Sequence, residues 1–123
     1  MIYQMIEGGT EVILGVTYDR TFGHMIKLGP GGIYADVVKD VSSRIAPVSL
    51  HEAQDMETEL RSILLLRGSR DQKLADFEAI VAGIVKVSAL VTDISEIREL
   101  EINSLMVMNR GAFALDSRII FEP

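Results

Sequence analysis

Apolar and polar positions alternate between residues 10 and 20 of this chain, and a period of two is typical of a strand that buries one face. The apolar positions are Val12, Leu14, Val16 and Tyr18. Further extended segments are predicted at residues 1–6, 25–28 and 33–41, because glycine-rich stretches separate them from their neighbours. The first third of the chain therefore predicts β-hairpins.

Two helices are predicted in the middle of the chain. The first begins after Ser49, which forms a capping box with Glu52, and is expected to run to about Ile63. A second capping box, Ser69 with Gln72, precedes a longer helix that ends near residue 93. Its apolar stripe, spaced three and four residues apart, is Leu74, Phe77, Ile80, Val81, Ile84, Val87, Ser88 and Val91. Strands, two helices and strands again predict an α+β fold, an antiparallel sheet with both helices packed on one face.

The last part of the chain predicts a further hairpin, with strands at residues 100–108 and 112–121. A loop of two residues, Asn109 and Arg110, or of four places Asn103 directly opposite Asp116, with Cβ atoms roughly 5 Å apart. A three-residue loop would shift the register by one position and scatter the polar side chains over both faces. Alternation predicts one core-facing set: Ile102, Met106, Met108, Phe113, Leu115, Ile119 and Phe121.

The opposite face of this hairpin carries Glu101, Asn103, Asp116 and Arg118. Carboxylate and amide oxygens are suitable ligands for Mg²⁺, which takes few protein ligands and completes its shell with water and phosphate oxygens. Arg118 is suited to hold a phosphoryl group. On spacing alone, an ordinary solvated strand face explains the same residues, because most polar strand faces contact water.

Length and composition predict the class of protein. The chain has 123 residues, 48% of them hydrophobic, which is enough for one folded domain. It has no cysteine, and we see no basic leader or long apolar segment, so we expect an intracellular, cytoplasmic protein. The net charge of −6 argues against a nucleic-acid or membrane partner, because such binding depends on clustered lysine and arginine.

Five short motifs follow one another in a specific order. They are residues 7–16, the glycine-containing segments 22–23 and 31–34 with residues 39–44, then residues 65–68, 99–103 and 115–118. In this order the chain resembles the C-terminal part of the ATP-grasp domain of NDP-forming acyl-CoA synthetases. That family includes ADP-forming acetyl-CoA synthetase and, more distantly, the β subunit of succinyl-CoA synthetase.

The resemblance implies a site for ATP or ADP and Mg²⁺. Asn103 and Asp116 match the residues that hold Mg²⁺, and Glu101 matches a position beside the phosphohistidine. Arg118 closes the last matching motif and is expected to assist at the phosphate. The matching nucleotide-binding residues are Gln4, Met5, Ile6, Glu11, Gly31 and Gly32. Gly31 and Gly32 are expected to offer backbone donors to a phosphate, although a plain turn explains them equally well. A structural role is an equally good explanation of Glu11. Arg44 is expected to neutralise a phosphate or a neighbouring acid, although without the resemblance a solvated arginine is the better explanation.

The chain departs from the family pattern in two respects. It has Glu101 and Ser104 where the family usually has aspartate and proline. It also lacks counterparts of the front lobe of the ATP-grasp domain and of the CoA-binding domain, which are the partners that the resemblance implies. The implied function is the ATP- and Mg²⁺-binding part of an acyl-CoA synthetase, inactive alone. The alternative is a non-catalytic α+β module, and for either we expect an oligomer or a complex, because an unpaired edge strand usually finds a partner.

Overall fold

The structure, a computed structural model, describes residues 10–31, 40–61, 76–108 and 110–122. Its elements in chain order are β1 (Thr10–Asp19), β2 (Gly23–Pro30), β3 (Ser42–Ile45), α1 (Leu50–Glu59), α2 (Phe77–Asp93), β4 (Ile97–Val107), β5 (Ala112–Ala114) and β6 (Ser117–Phe121). The strand order is β3-β2-β1-β4, with β5 and β6 both paired to β4, and every pair is antiparallel. The predicted α+β class is confirmed.

The core lies between one face of this sheet and the two helices. Alternate residues in the central parts of β1 and β2 are buried there, although Tyr18 near the end of β1 is exposed, and α2 contributes the stripe predicted from its spacing. The main core residues are Val12, Leu14, Val16, Ile26, Leu28, Met56, Ile80, Ile84, Val91, Leu100 and Leu105. Both helices therefore cover the same face, and no helix within the described residues covers the opposite face of β1, β2 and β4, which we call the open face.

Local chemistry explains where the first hairpin turns. Asp19 Oδ1 accepts hydrogen bonds from the backbone N–H groups of Thr21 (2.7 Å) and Phe22 (3.1 Å), which closes the turn between β1 and β2. The pairing that follows runs from Asp19 with Gly23 to Val12 with Pro30. The predicted strands at 10–20 and 25–28 are confirmed, and β2 is longer than expected. The predicted strand at residues 1–6, which was expected to form a hairpin with β1, lies outside the described residues.

The helix boundaries differ from the predictions. The capping box of Ser49 and Glu52 is present, but α1 ends at Glu59 because Leu60 adopts an extended conformation. The second helix begins at Phe77, capped by Asp76, whose Oδ1 accepts a hydrogen bond from the N–H of Ala79 at 3.1 Å. A continuous helix from residue 69 was therefore the wrong expectation, since an aspartate cap satisfies the first turn at a later position. The predicted capping box of Ser69 and Gln72 and the stripe residue Leu74 lie outside the described residues.

Strand β3 was not predicted, since its sequence, Ser42 to Ile45, has no apolar alternation. It is held at the sheet edge by pairing with β2 and by Glu59 at the end of α1. The predicted strand at 33–41 lies outside the described residues except for Asp40 and Val41, which are not in a strand.

The register of the closing hairpin is the predicted one. Leu105 pairs with Ala114 and Leu100 with Ile119, which corresponds to the register that sets Asn103 opposite Asp116. The predicted core-facing set is only partly correct. Phe113, Ile119 and Phe121 are exposed, and the core instead takes Leu105 and Val107 from β4. For Phe113 the reason is an extra residue in β4, Ser104, which reverses the inside–outside phase of the strand after Asn103. Ile119 and Phe121 lie opposite residues of β4 that precede the bulge, and they are exposed at the edge strand β6, which pairs with β4 alone among the described strands.

Candidate functional site on the open face of the sheet

The open face of the sheet contains a shallow depression of about 290 Å³. Its floor is the outward side of β1 and β2, including Ile13, Gly15 and Lys27. Glu101 and Arg118 line it from β4 and β6. Gly15 adds no side chain to the floor, and both signs of charge, from Lys27, Glu101 and Arg118, line the depression.

Asn103 and Asp116 stand opposite each other beside this depression. The N–H of Asn103 donates to the carbonyl oxygen of Asp116 at 3.1 Å, and both residues are exposed. Residues directly opposite in an antiparallel pair present their side chains to the same face. The predicted juxtaposition of these two backbones is therefore present.

Glu101 connects the other polar residues of the cluster. Its Oε1 accepts a hydrogen bond from Asn103 Nδ2 at 3.1 Å, and its Oε2 lies 3.5 Å from a guanidinium nitrogen of Arg118. Because the amide nitrogen of Asn103 is occupied by Glu101, the amide oxygen is the end of that side chain that can bind a cation. Three of the four predicted residues thus form one connected group.

The donor set fits a hard cation that keeps most of its water. Within the described ranges, no group of three or more aspartate, glutamate, histidine or cysteine side chains is arranged to hold a metal ion. One carboxylate, from Asp116, and one amide oxygen, from Asn103, are instead the few protein ligands that Mg²⁺ accepts beside water and phosphate.

Glu11 lies on the same face, on β1. Its Oε1 accepts a hydrogen bond from the hydroxyl of the buried Ser104 at 2.6 Å. Glu11 also faces Gly31 across the β1–β2 pair, and the N–H of Gly31 donates to the Glu11 carbonyl at 2.9 Å. The backbone donor of Gly31 that we expected to face a phosphate is therefore engaged in the sheet.

Arg44 is paired with an acid, one of the two roles expected for it. Its guanidinium donates to both carboxylate oxygens of Glu59, and Ser42 Oγ donates to Oε1 at 2.5 Å. The hydrogen bonds from Arg44 and then from Ser42 lower the pKa of Glu59 below its ordinary value. The same pair raises the pKa of Arg44. This pair joins β3 to α1. It therefore stabilises the contact between the helix and the sheet and is not part of the open face.

Some predicted residues lie outside the described part of the chain, namely Gln4, Met5, Ile6 and Gly32. Two residues of the open face were missed by the sequence reasoning. Lys27 could have been found from the alternation around Ile26 and Leu28, which directs it away from the core. Ser104 carried no signal, because a bulge is defined only by the pairing of two strands.

The described residues include no helix long and apolar enough to cross a bilayer.

Comparison with known proteins identifies the fold and the relatives. The family model of the ATP-grasp domain matches residues 1–121. The chain is 42% identical over 125 residues to the β subunit of ADP-forming acetate–CoA ligase II of Pyrococcus furiosus, covering 99% of this chain and 53% of that protein. It is 40% identical to ADP-forming acetate–CoA ligase I of Archaeoglobus fulgidus, covering 98% of this chain and 18% of that protein.

Solved structures agree with these relatives. A crystal structure of a Pyrococcus horikoshii protein superposes with a TM-score of 0.87 at 41% identity, covering 97% of this chain and 51% of that one. A dinucleotide-forming acetyl-coenzyme A synthetase 1 of Ca. Korarchaeum cryptofilum, in complex with coenzyme A and Mg-AMPPCP, gives 0.88 at 32% identity, covering 95% of this chain and 55% of that one. The chain thus spans about half the length of the separate β subunit and of these solved chains, and less than a fifth of the A. fulgidus ligase.

Proposed function

The chain belongs to the ATP-grasp domain family, and we propose that it is the ATP- and Mg²⁺-binding part of an ADP-forming acyl-CoA synthetase. The complete enzyme would convert acyl-CoA, ADP and phosphate to the acid, CoA and ATP through a phosphohistidine. On this proposal the protein acts in the cytoplasm.

The observation that carries the proposal is the polar group on the open face. Asn103 and Asp116 stand opposite each other, and Glu101 links Asn103 to Arg118. An ordinary solvated strand face does not require this convergence beside a depression lined by glycine and lysine. The relatives named above are ADP-forming ligases, and one solved neighbour was determined with a magnesium nucleotide.

Each residue has a distinct role in the proposal. Asn103 and Asp116 would hold Mg²⁺, which when bound neutralises charge on the phosphates and on the transferring phosphoryl group. Arg118 would hold a phosphate oxygen, and Glu101 would orient the incoming histidine. Gln4, Met5, Ile6, Gly31 and Gly32 are proposed to surround the nucleotide, and Glu11 is proposed to lie near it with a structural role.

The proposed partners supply the remaining parts of the active site. Phosphoryl transfer depends on positioning the nucleotide between two lobes. Because the chain spans about half of the relatives' β subunit, we propose that a front ATP-grasp lobe and a CoA-binding subunit or domain complete it. The 123-residue chain alone is then expected not to synthesise acyl-CoA.

Calorimetric titration with Mg²⁺ and ATP tests the proposal directly. The chain should release or absorb heat on binding, and Asp116→Ala should abolish most of that signal, whereas the exposed Asp93→Ala should leave it unchanged. No heat, or heat that does not depend on Asp116, would favour the non-catalytic module. Acyl-CoA synthesis by the isolated chain in a coupled assay would refute the requirement for the missing parts.

A further inference from the structure

Ser104 is the extra residue of a β-bulge next to the proposed Mg²⁺ site. On β1, Val12 pairs with Leu105 and the next residue, Ile13, pairs with Asn103. Ser104 therefore has no pairing partner on β1. Leu100 before the bulge and Leu105 after it both face the core, although residues five positions apart in a regular strand would lie on opposite faces. The bulge therefore decides that Asn103 faces outward while both ends of β4 still contribute to the core.

Polar contacts hold the bulge from two sides. On the β1 side, the Ser104 hydroxyl donates to Glu11 Oε1 at 2.6 Å. On the β6 side, the Ser104 carbonyl accepts from the N–H of Leu115 at 2.9 Å, next to the hydrogen bond from Asn103 to Asp116. Ser104 is only 5% exposed, so its hydroxyl depends on Glu11 for a partner.

Gly31 makes the position of Glu11 possible. A Cβ at residue 31 would lie 3.0 Å from Glu11 Cβ and 3.1 Å from its carbonyl carbon. Since the Gly31 N–H also donates to the Glu11 carbonyl, β2 approaches Glu11 closely and directs its side chain along the sheet towards β4. Glu11 is therefore packed between β2 and the bulge.

We propose that Glu11 is a positioning residue for the Mg²⁺ site rather than a ligand of the nucleotide. By accepting the Ser104 hydrogen bond it fixes the bulge, and the bulge fixes the outward direction of Asn103 opposite Asp116. This inference rests on the proposed function, because it assigns Asn103 and Asp116 to the metal.

The test uses Mn²⁺ as a paramagnetic stand-in for Mg²⁺, titrated into the 123-residue chain. Glu11→Ala and Ser104→Ala should each weaken Mn²⁺ binding about tenfold, the usual effect of losing a group that orients a metal ligand. The double variant should be no weaker than either single one, because both remove the same interaction. Glu11→Gln should stay within about threefold of the wild type, because its amide oxygen still accepts the Ser104 hydroxyl.

A second readout does not depend on the metal. Hydrogen exchange of the Leu115 amide, which donates to Ser104, should accelerate severalfold in Glu11→Ala and Ser104→Ala but not in Glu11→Gln. Exchange at Ile26, in the core of the distant β2 strand, should be unchanged in all three if they fold normally.

The outcomes separate the two proposals. Mn²⁺ binding that does not depend on Asp116 overturns the proposed function and the positioning role with it. Binding that depends on Asp116 but is indifferent to Glu11→Ala and Ser104→Ala overturns the positioning role alone. Equal losses in Glu11→Gln and Glu11→Ala would show that the charge of Glu11 acts directly, which also overturns it.

Discussion

The backbone N–H of Asn103 donates a hydrogen bond to the carbonyl oxygen of Asp116, with 3.1 Å between the two atoms. This bond lies between the β4–β5 and β4–β6 pairings, so the strand register sets the spacing of the two candidate ligands. Asn103 belongs to β4, whereas Asp116 lies in the two-residue break between β5 and β6, where this hydrogen bond holds it to β4. The same strand pair also carries Glu101 and Arg118, whose side chains lie 3.5 Å apart.

Replacement of Arg118 should separate function from stability. Its side chain is 65% exposed, so loss of its ion pair with Glu101 in Arg118→Met should change the free energy of unfolding by less than about 1 kcal/mol. Loss of a charged donor to a phosphate should weaken binding of Mg²⁺ and ATP about tenfold. Urea unfolding and calorimetry measure the two effects. Arg20→Met, which removes an exposed arginine just after β1, is the matched control, and an equal loss there would contradict a specific role for Arg118.

Gly31 should tolerate a side chain poorly, in contrast to Gly15. Gly31→Ala places a Cβ about 3.0 Å from Glu11 and should lower the free energy of unfolding by about 1–3 kcal/mol, because backbone atoms must move to make room. At Gly15 the nearest atom to an added Cβ is the Leu100 carbonyl oxygen at 3.5 Å, an ordinary contact. Gly15→Ala should therefore cost less than about 0.5 kcal/mol. Equal effects in chemical denaturation would disprove this account of Gly31.

Asp76 should connect the stability of α2 to that of the closing hairpin. One oxygen of its carboxylate caps α2 through Ala79, and the other accepts from the N–H of Gly111 at 2.7 Å. Asp76→Ala removes both contacts and should destabilise the protein by about 1–3 kcal/mol. Asp76→Asn can retain the cap but loses one acceptor, so its melting temperature should lie between those of the wild type and Asp76→Ala. A melting temperature of Asp76→Asn equal to that of Asp76→Ala would show that the cap contributes little.

The pair of Arg44 and Glu59 should make stability depend on acid pH. Hydrogen bonds from Arg44 and Ser42 lower the pKa of Glu59 in the folded state from its ordinary 4.5. A carboxyl group with a lowered pKa stabilises the fold above its unfolded pKa, and this contribution is lost as the pH falls through the folded value. The melting temperature of the wild type should therefore decrease more steeply below about pH 4.5 than that of Glu59→Gln. The exposed Glu78→Gln serves as control and should keep the wild-type slope.

Much of the candidate site could be predicted from local rules. The opposition of Asn103 and Asp116 follows from turn length and the period of a strand, which are both properties of a short segment. The capping box at Ser49 and the stripe of α2 follow from equally local spacing. The partnership of Glu11 with Ser104 could not be predicted in this way, because 93 positions separate the two residues.

By itself, the sequence determined the α+β class, the register of the closing hairpin, the buried face of α2 and the resemblance to the ATP-grasp domain. Each depends on the order and period of nearby residues. Only the tertiary structure decided that β4 changes phase at Ser104, that Phe113 and Phe121 are exposed, and that the Gly31 N–H is donated to Glu11. These features depend on how β1, β2 and β4 meet, and a bulge or a close approach between strands has no fixed signature in either strand alone.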